Sequence, residues 1–444
     1  MATEIKIDMK KGPFLPCSVY TTLNRVAVAK RHPGLQLDKF SAGGTQKENQ
    51  GEALKEVVKT EGNADLLASL HLQRTRLLDA VGATRFAMST NEPLTLHLSR
   101  ASALENAGIA LHPLHGFVYL PGSGLKGMAR AWAETNGEPA DRIADVFGSG
   151  PKDKDHPDNV SPDNVSPDNV GPGNVGAVVF HDAWPKSWPK LRRDIVTNHH
   201  RNYYRGDDAP GDWEHPNPVT FLAVGAGEFF DFALSPRAGG DPAQVEQARK
   251  WLQAALCWRG AGAKTNAGYG AFKIDTEQAS TAQDVPEPDA TREPRERFTL
   301  TLTSPGFFAG ADRGKHDCDL RSASLRGQLR WWWRTLHAGR MRLEDLKRCE
   351  AKIWGDTTRA GMVRVAVKKE KAEVCCFDKN KNCAKWSQKT GREANNSGLW
   401  YASYGMNEKN APQRCVVEPG AKWSVTLMAR QTQNDFDQIG RAHV

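Results

Sequence analysis

The sequence predicts a mixed α+β fold built on a duplicated module. Three observations carry that reading. Stretches with helical spacing of apolar residues interleave with short alternating stretches. The text around Leu125 returns 200 residues later, around Leu325. Between the two copies lies one glycine-rich stretch, Trp258 to Phe272, with a helical pattern before it and a strand pattern after it.

Residues 1–60 are polar, with Gly43-Gly44 and charges from Lys47 to Glu56, and a loose N-terminal segment is expected. Leu66, Leu67, Leu70, Leu77 and Leu78 mark a helix with one apolar side. Thr95–Leu98 and Gly116–Leu120 alternate as strands do. Pro121-Gly122 then turns the chain. Ser123 can cap a helix with Leu125, Met128, Ala129 and Trp132 on one side and Lys126 and Arg130 on the other. Asp153–Val175 repeats a five-residue Pro/Asn unit with no face to bury, so it reads as a flexible loop insertion.

Ala177–Phe180, Val219–Val224 and Phe229–Leu234 are further strands. Among them, Asp194–Arg205 concentrates imidazole, phenol and guanidinium groups. Asp241-Pro242 reads as N-cap and first turn of a helix carrying Val245, Ala248, Leu252 and Ala255. Ala271–Ile274 is a short strand. Residues 277–296, rich in Pro, Glu, Asp and Thr, form a linker between a module at 61–276 and a second at 297–444.

In the second module Phe298–Leu302 alternates as a strand. Leu320–Leu336 is a helix whose apolar side is Leu325, Leu329, Trp332 and Leu336, with Arg326, Arg330 and Arg334 opposite. Val363, Val365 and Val367 mark another strand, and Lys368–Gly420 shows little pattern. The repeat aligns Leu125-Lys-Gly-Met-Ala-Arg-Ala-Trp132 with Leu325-Arg-Gly-Gln-Leu-Arg-Trp-Trp332. Downstream, Val146-Phe-Gly-Ser149 pairs with Ile353-Trp-Gly-Asp356. Two matches in the same order argue for duplication. Gly127 and Gly327 sit where helix interiors usually avoid glycine, which suits close approach of another backbone or a nucleic-acid strand.

The glycine-rich stretch is no nucleotide-binding P-loop. Trp258 and Ala263 stand where that motif needs glycines, and its loop opens a helix rather than following one. Four glycines around Lys264-Thr265 suit either an anion nest or a ligand-free glycine hairpin. A helix N-terminus with Ser123, Lys126 and Arg130, together with this loop, could hold successive phosphates. Tyr203, Tyr204, Tyr269, Trp331 and Trp333 could stack bases or fill the core. The candidate ligand contacts are therefore Ser123, Lys126, Arg130, His199, Tyr203, Lys264, Thr265, Tyr269, Arg321, Arg326, Arg330 and Arg334.

The net charge of +8 and pI of 9.0 permit a polyanionic partner. No apolar run approaches the roughly 18 residues of a membrane span, and Met1–Pro13 lacks a signal's apolar core. A cytoplasmic location and eight reduced cysteines are expected. Cys375, Cys376, Cys383 and Cys415 share a polar region without a Cys-x2-Cys pair, so neither a metal nor a cofactor is predicted.

Several motifs resemble the RAMP proteins of CRISPR effector complexes. Leu104–Pro113, Tyr119–Gly127, Pro210–Pro218 and the Gly260–Phe272 loop make residues 66–275 similar to the sixth-subunit family of the type III-B Cmr complex. Thr303–Asp312 and Leu320–Arg334 make residues 297–367 similar to the first-subunit family. The resemblance implies tandem ferredoxin-like (RRM-like) modules with long loop insertions. It also implies a guide (crRNA) ligand held near its 3′ end, target RNA and other Cmr-type subunits as partners, and no catalysis, the backbone subunit being the usual nuclease. Two features depart from the family. Gly122-Ser123-Gly124 replaces the frequent Gly-Ser-Ser, and the second module shows no glycine loop of its own. Ile439–Val444 resembles a translated sequencing adapter, so the C-terminal module is expected to be incomplete. The competing expectation is a metal-independent endoribonuclease using His199 or His200 as acid or base, with Tyr203 or Lys264 stabilising charge.

Overall fold

The computed structural model describes residues 21, 23–40, 47–98, 107–149, 152–153, 170–171, 175–206, 208–211, 213–238, 240–274, 285–311, 317–356, 358, 360–376 and 415–429. Most of the Pro/Asn repeat, Cys383 and residues 430–444 lie outside them. The chain forms two compact units that do not follow the linear module boundary. Unit 1 comprises residues 1–192, 223–265 and 269–292, and unit 2 comprises 193–222, 266–268 and 293–444.

Unit 1 begins with short helices at Pro33–Asp38 and Lys47–Val58 that bury Leu37, Leu54 and Val57, where a loose segment is expected. Helix α1 (Ala64–Ala80), capped by Asn63, leads into β1 (Thr84–Thr90). Then follow α2 (Gly122–Thr135), α3 (Ala140–Phe147), β2 (Val178–Phe180) and β3 (Trp184–Pro185). A hairpin of β4 (Leu191–Asn198) and β5 (Asn217–Val224), whose residues 193–222 belong to unit 2, intervenes before β6 (Phe229–Pro236). Helix α4 (Pro242–Ala254) has the expected Asp241 cap, completed by Gln244 into a capping box. A π-helical turn at Ala255–Arg259 and the glycine loop then lead into β7 (Phe272–Ile274).

The unit 1 sheet has the order β2–β6–β1–β7, all antiparallel, with β3 also paired to β6. β1 is therefore central, with Phe86 opposite Phe232 and Met88 opposite Phe230. Helix α4 packs along α2, and Trp132, Trp251, Leu252, Met88 and Phe272 are buried in the core. Ser123 does not cap α2, whose N-cap is Pro121. Residues 95–98 form no strand, and 116–120 makes only isolated bridges, such as Leu120 with Ala183.

Unit 2 contains β8 (Arg295–Thr301), α5 (Ser322–Ala338), α6 (Leu343–Trp354), β9 (Val363–Lys371), β10 (Val374–Cys376), β11 (Cys415–Val417) and β12 (Lys422–Ala429). Its main sheet has the order β8–β12–β9, again antiparallel. Leu325, Leu329 and Trp333 of α5 pack with Ile353, Trp354, Val363, Val365 and Val425. The expected faces of α5 are thus rotated. Trp332 and Leu336 are 53% and 66% exposed, while Arg334 is buried. Cys375 and Cys415 are disulfide-bonded rather than reduced, on a strand pair that brings this cysteine-rich text together. Cys257, Cys318 and Cys349 are free thiols.

The two sequence matches become matching geometry. α3 and α6 both end at a glycine of positive φ, Gly148 (85°) and Gly355 (82°). Each of these glycines makes a bridge to a following segment, with Val175 and Ala360 respectively. A Cβ on Gly176 would strike the Phe147–Gly148 backbone, and one on Gly361 the Trp354–Gly355 backbone. The central strands also correspond, Arg85-Phe86-Ala87-Met88 with Arg297-Phe298-Thr299-Leu300.

Glycine positions separate by mechanism. A Cβ on Gly270 (φ 79°) would lie 1.9 Å from the Ala261 carbonyl oxygen, whereas one on Gly127 has nothing within 4 Å. Gly270→Ala should destabilise unit 1 by about 2–4 kcal/mol, through strain and overpacking. Gly127→Ala should stabilise it by about 0.5–1 kcal/mol, through helix propensity. Urea titrations of the two variants check both signs.

Candidate nucleic-acid interface

In unit 1, the first turn of α2 carries the first group of predicted contacts. Its Gly122 N–H donates to Asp182 Oδ1 at 2.7 Å, so an internal carboxylate already sits at the positive end of this helix. Ser123 and Gly124 beyond it are exposed, and Lys126 is half-buried. Arg130 pairs with Glu134 at 2.8 Å, both about half exposed, an arrangement worth little and easily exchanged for another anion.

The glycine loop is held by backbone. The amides of Ala261, Ala263 and Gly270 donate at 2.8 Å to the carbonyls of Gly270, Thr95 and Pro93. Gly260, Gly262 and Gly270 all have positive φ, and a Cβ on Gly262 would lie 2.2 Å from the Thr95 oxygen. Glycines here serve close backbone packing that sets β7 beside β1, and these three amides do not form an open anion nest. Lys264 also has positive φ (58°), and Tyr269 is buried.

In unit 2, the arginines of α5 converge on a buried carboxylate. Glu350 of α6, 1% exposed, receives hydrogen bonds from Tyr203 Oη at 2.9 Å, Tyr204 Oη at 3.0 Å and Arg334 Nη1 at 2.8 Å, and is also paired with Arg330. Arg330 lies over the Tyr204 ring at 4.4 Å, and Lys347 over Tyr203 at 4.9 Å. Burial pushes the Glu350 carboxyl up, but Arg330 and Arg334 outweigh it and hold it below its ordinary value. Burial first, and then Glu350, raises Tyr203, while burial is the main cause that pushes Tyr204 up to about 12. Arg326 donates to the Trp354 carbonyl, and burial brings its pKa down to about 10. Arg321 is bonded to buried Asp194 and to the Ile195 carbonyl at 2.7 Å.

Of the predicted contacts, Tyr203, Arg330 and Arg334 are therefore brought together around Glu350, and Arg321 and Arg326 have internal partners. His199 is exposed beside His200. His200 has positive φ (59°), and its Nδ1 meets Glu214 Oε2 at 3.0 Å. Sequence reasoning missed Glu350, since one carboxylate on an amphipathic helix does not show that it faces two arginines. It also passed over Trp213, 83% exposed and flanked in sequence by His215, with Arg201 and Arg205 exposed on the same hairpin. Trp213 was visible within the Pro210–Pro218 motif. Among the described residues no group of three or more His, Cys, Asp or Glu could hold a metal ion. Likewise no helix there is long and apolar enough to cross a membrane.

Removing the carboxylate charge leaves one buried guanidinium, Arg334, and one part-buried one, Arg330, without their charged partner. Glu350→Gln should cost unit 2 about 3–5 kcal/mol. Because the folded pKa of Glu350 is depressed, its contribution is present above the unfolded carboxylate pKa and is lost as pH falls through the folded value. The raised tyrosines act oppositely, their contribution falling as pH rises above about 10. Stability against pH should therefore show both flanks in the native chain, and the acid flank should flatten in Glu350→Gln.

With this geometry in view, comparison with known proteins is informative. The family model of the RAMP superfamily matches residues 62–273 and 299–441. The CRISPR system Cmr subunit Cmr6 of Pyrococcus furiosus is 37% identical over 102 residues, covering 21% of this chain and 29% of that protein. Cmr subunit Cmr1-2 of the same organism is 35% identical over 95 residues, covering 21% of this chain and 49% of that protein. The chain thus spans less than half the length of the curated relatives it matches. Among solved structures, a Type III-B Cmr-beta assembly bound to cognate target RNA has a chain 17% identical, with TM-score 0.39 over 51% of this chain and 71% of that one. Crystalline Cmr6 from Pyrococcus furiosus is 23% identical, with TM-score 0.26 over 44% of this chain and 97% of that one. The chain belongs to the RAMP superfamily, with similarity to the Cmr6 and Cmr1 subunits of the type III-B Cmr complex.

Proposed function

We propose that this chain is a non-catalytic guide-RNA-binding subunit of a type III CRISPR effector complex, one polypeptide doing the work of two RAMP subunits. The observation that carries this reading is the pair of relatives, a Cmr6 and a Cmr1 subunit, beside a RAMP superfamily match that falls in two parts, residues 62–273 and 299–441. The unit 1 strand order β2–β6–β1–β7 supports a ferredoxin-like module, since its helix-linked strands follow the order 2-3-1-4. In unit 1 the RNA contacts then fall to cations with solvent access, Lys126 and Arg130 on α2, with Ser123 beside a helix end; unit 2 by itself offers His199, Arg201 and Arg205 on its hairpin. Lys264 and Thr265 join those of unit 1 from the glycine loop. Trp213 provides a face on which a base can stack. Arg326, Arg330 and Arg334 shape unit 2 and meet no phosphate, because their charges are spent on Trp354 and Glu350.

The His200–Glu214 pair favours a second reading, an endoribonuclease, because a carboxylate at Nδ1 orients an imidazole for acid–base work. Against it, the His200 side chain is only 12% exposed, and the Tyr203 phenol is occupied by Glu350 with its pKa raised.

Salt titrations of single-stranded RNA binding distinguish the contacts. Lys126→Ala and Arg130→Ala should each lower the log–log salt slope by about 0.7, the value per phosphate contact. Arg330→Ala should lower the unfolding midpoint with the slope unchanged. Guide precursor incubated with the protein and EDTA should stay intact. Specific cleavage that His200→Ala abolishes would establish the nuclease instead.

A further inference from the structure

Three half-buried histidines that the proposed function does not use meet in unit 1, two of them at the end of the Leu104–Pro113 motif. The turn 112–116 is closed by the His112 amide donating to the Phe117 carbonyl at 2.7 Å and the Gly116 amide donating to the His112 carbonyl at 2.8 Å. Within it the His112 and His115 rings stack at 4.8 Å, and His112 Nδ1 accepts the Leu114 amide at 3.3 Å. The third ring, His32, caps the helix Pro33–Asp38, its Nδ1 accepting the Leu35 amide at 3.2 Å. Turn and helix touch at Gly116, where a Cβ would lie 2.8 Å from Pro33 Cδ and 3.0 Å from His32 Nε2. That contact holds down a helix whose Pro33, Gln36 and Leu37 are buried.

A ring nitrogen that accepts an amide hydrogen carries no proton of its own, so His32 and His112 are both neutral, with the proton on Nε2. A proton added at either Nδ1 sets a donor against a donor and breaks the bond. A further proton on His115 places two cations in stacked rings. We propose that His32, His112 and His115 form an acid-released latch, which fixes the helix Pro33–Asp38 to the turn 112–116 near neutral pH and lets it go as the rings take up protons. The surroundings act in the same sense. Burial, chiefly, and then His115 lower the His32 pKa, against the Leu114 carbonyl and Asp38. Burial, and then His115 and His32, lower that of His112, against Asp182. The Tyr119 ring stands edge-on to His112 at 5.7 Å, and Arg31, next to His32, is turned to the Leu23 and Val26 carbonyls. Because the docked values lie below the released ones, the released state binds more protons. The latch is therefore closed above the ordinary histidine value of about 6.5 and weakens as pH falls below it.

Hydrogen exchange of the full chain, expressed as protection relative to the intrinsic rate at each pH, tests the latch. A ring that must stay neutral while the helix is docked lowers protection about tenfold between pH 7.5 and pH 5.5. The amides of Leu35, Gln36, Lys39 and Phe40, all bonded within this helix, should therefore lose protection by about tenfold to a hundredfold. Those of Phe86 and Met88 on β1 should keep theirs. Asparagine accepts an amide in the same way at both positions, as an N-cap at 32 and in an Asx turn at 112, without titrating. His32→Asn combined with His112→Asn should keep the protection at pH 7.5 and abolish its loss at pH 5.5. NMR titration of the ring protons in the native chain needs no variant, and decides the case if the double variant does not dock its helix at pH 7.5. There His32 and His112 should titrate below about 6.5. Unchanged protection of the helix at pH 5.5 overturns the proposal, as does a loss shared equally by β1, which is unfolding of the whole unit. A loss that persists in the double variant, or native rings that titrate at or above the ordinary value, overturns it as well.

Discussion

Burying a carboxylate is unfavourable unless donors surround it, and in unit 2 that requirement organises the helices. Glu350 takes donors from three directions: the guanidiniums of α5, and the phenols of Tyr203 and Tyr204 on the segment that joins β4 to β5. Satisfying it turns the arginine stripe of α5 inward. Trp332 and Leu336 must then turn outward, because residues on opposite faces of one helix cannot both be buried against a single neighbour. The same bonds explain why residues 193–222 belong to unit 2 although their flanking sequence belongs to unit 1. One charge thus decides the orientation of a helix and the partition of the chain.

Unit 1 depends on a different constraint, the contact distance between backbones. Its glycine loop folds so closely on itself and on Pro93–Leu96 that a side chain at 270 would overlap the Ala261 carbonyl oxygen and one at 262 the Thr95 carbonyl oxygen. That proximity sets β7 against the central strand and completes the sheet. Glycines in such a loop invite a reading as an anion nest, because the positive-φ geometry that exposes amides to a ligand also lets two strands of backbone interlock. Hydrogen-bond accounting separates the two, since the amides of 261, 263 and 270 are already donated to backbone carbonyls.

The duplicated modules have diverged in what their arginines do. On α2, Arg130 is half exposed, paired with the half-exposed Glu134 and reaching the Gly148 carbonyl at 3.5 Å, and on α5 its counterpart Arg330 is locked to Glu350. Similar helical text can therefore serve a surface role in one copy and an internal one in the other. A polyanionic ligand would meet the first kind of cation and not the second, because a buried, paired charge contributes little field outside the protein.

Most elements were legible in the sequence: the helices at 64–80, 122–135, 242–254 and 322–338, and the strands around 180, 220, 230, 273, 298 and 365. Apolar periodicity and the Asp241-Pro242 cap are local signals that survive folding. The repeat was legible too, and with it the family. The central strand Thr84–Thr90 escaped, although Phe86 and Met88 alternate with smaller or polar neighbours, because seven residues between two stronger patterns are a weak signal. Tertiary structure alone decided which face of α5 is inside. An arginine every fourth residue looks like a solvated stripe until a carboxylate some 20 residues away, and two tyrosines more than 120 residues away, are brought to it. Sequence spacing carries no information about pairs that distant; only packing does.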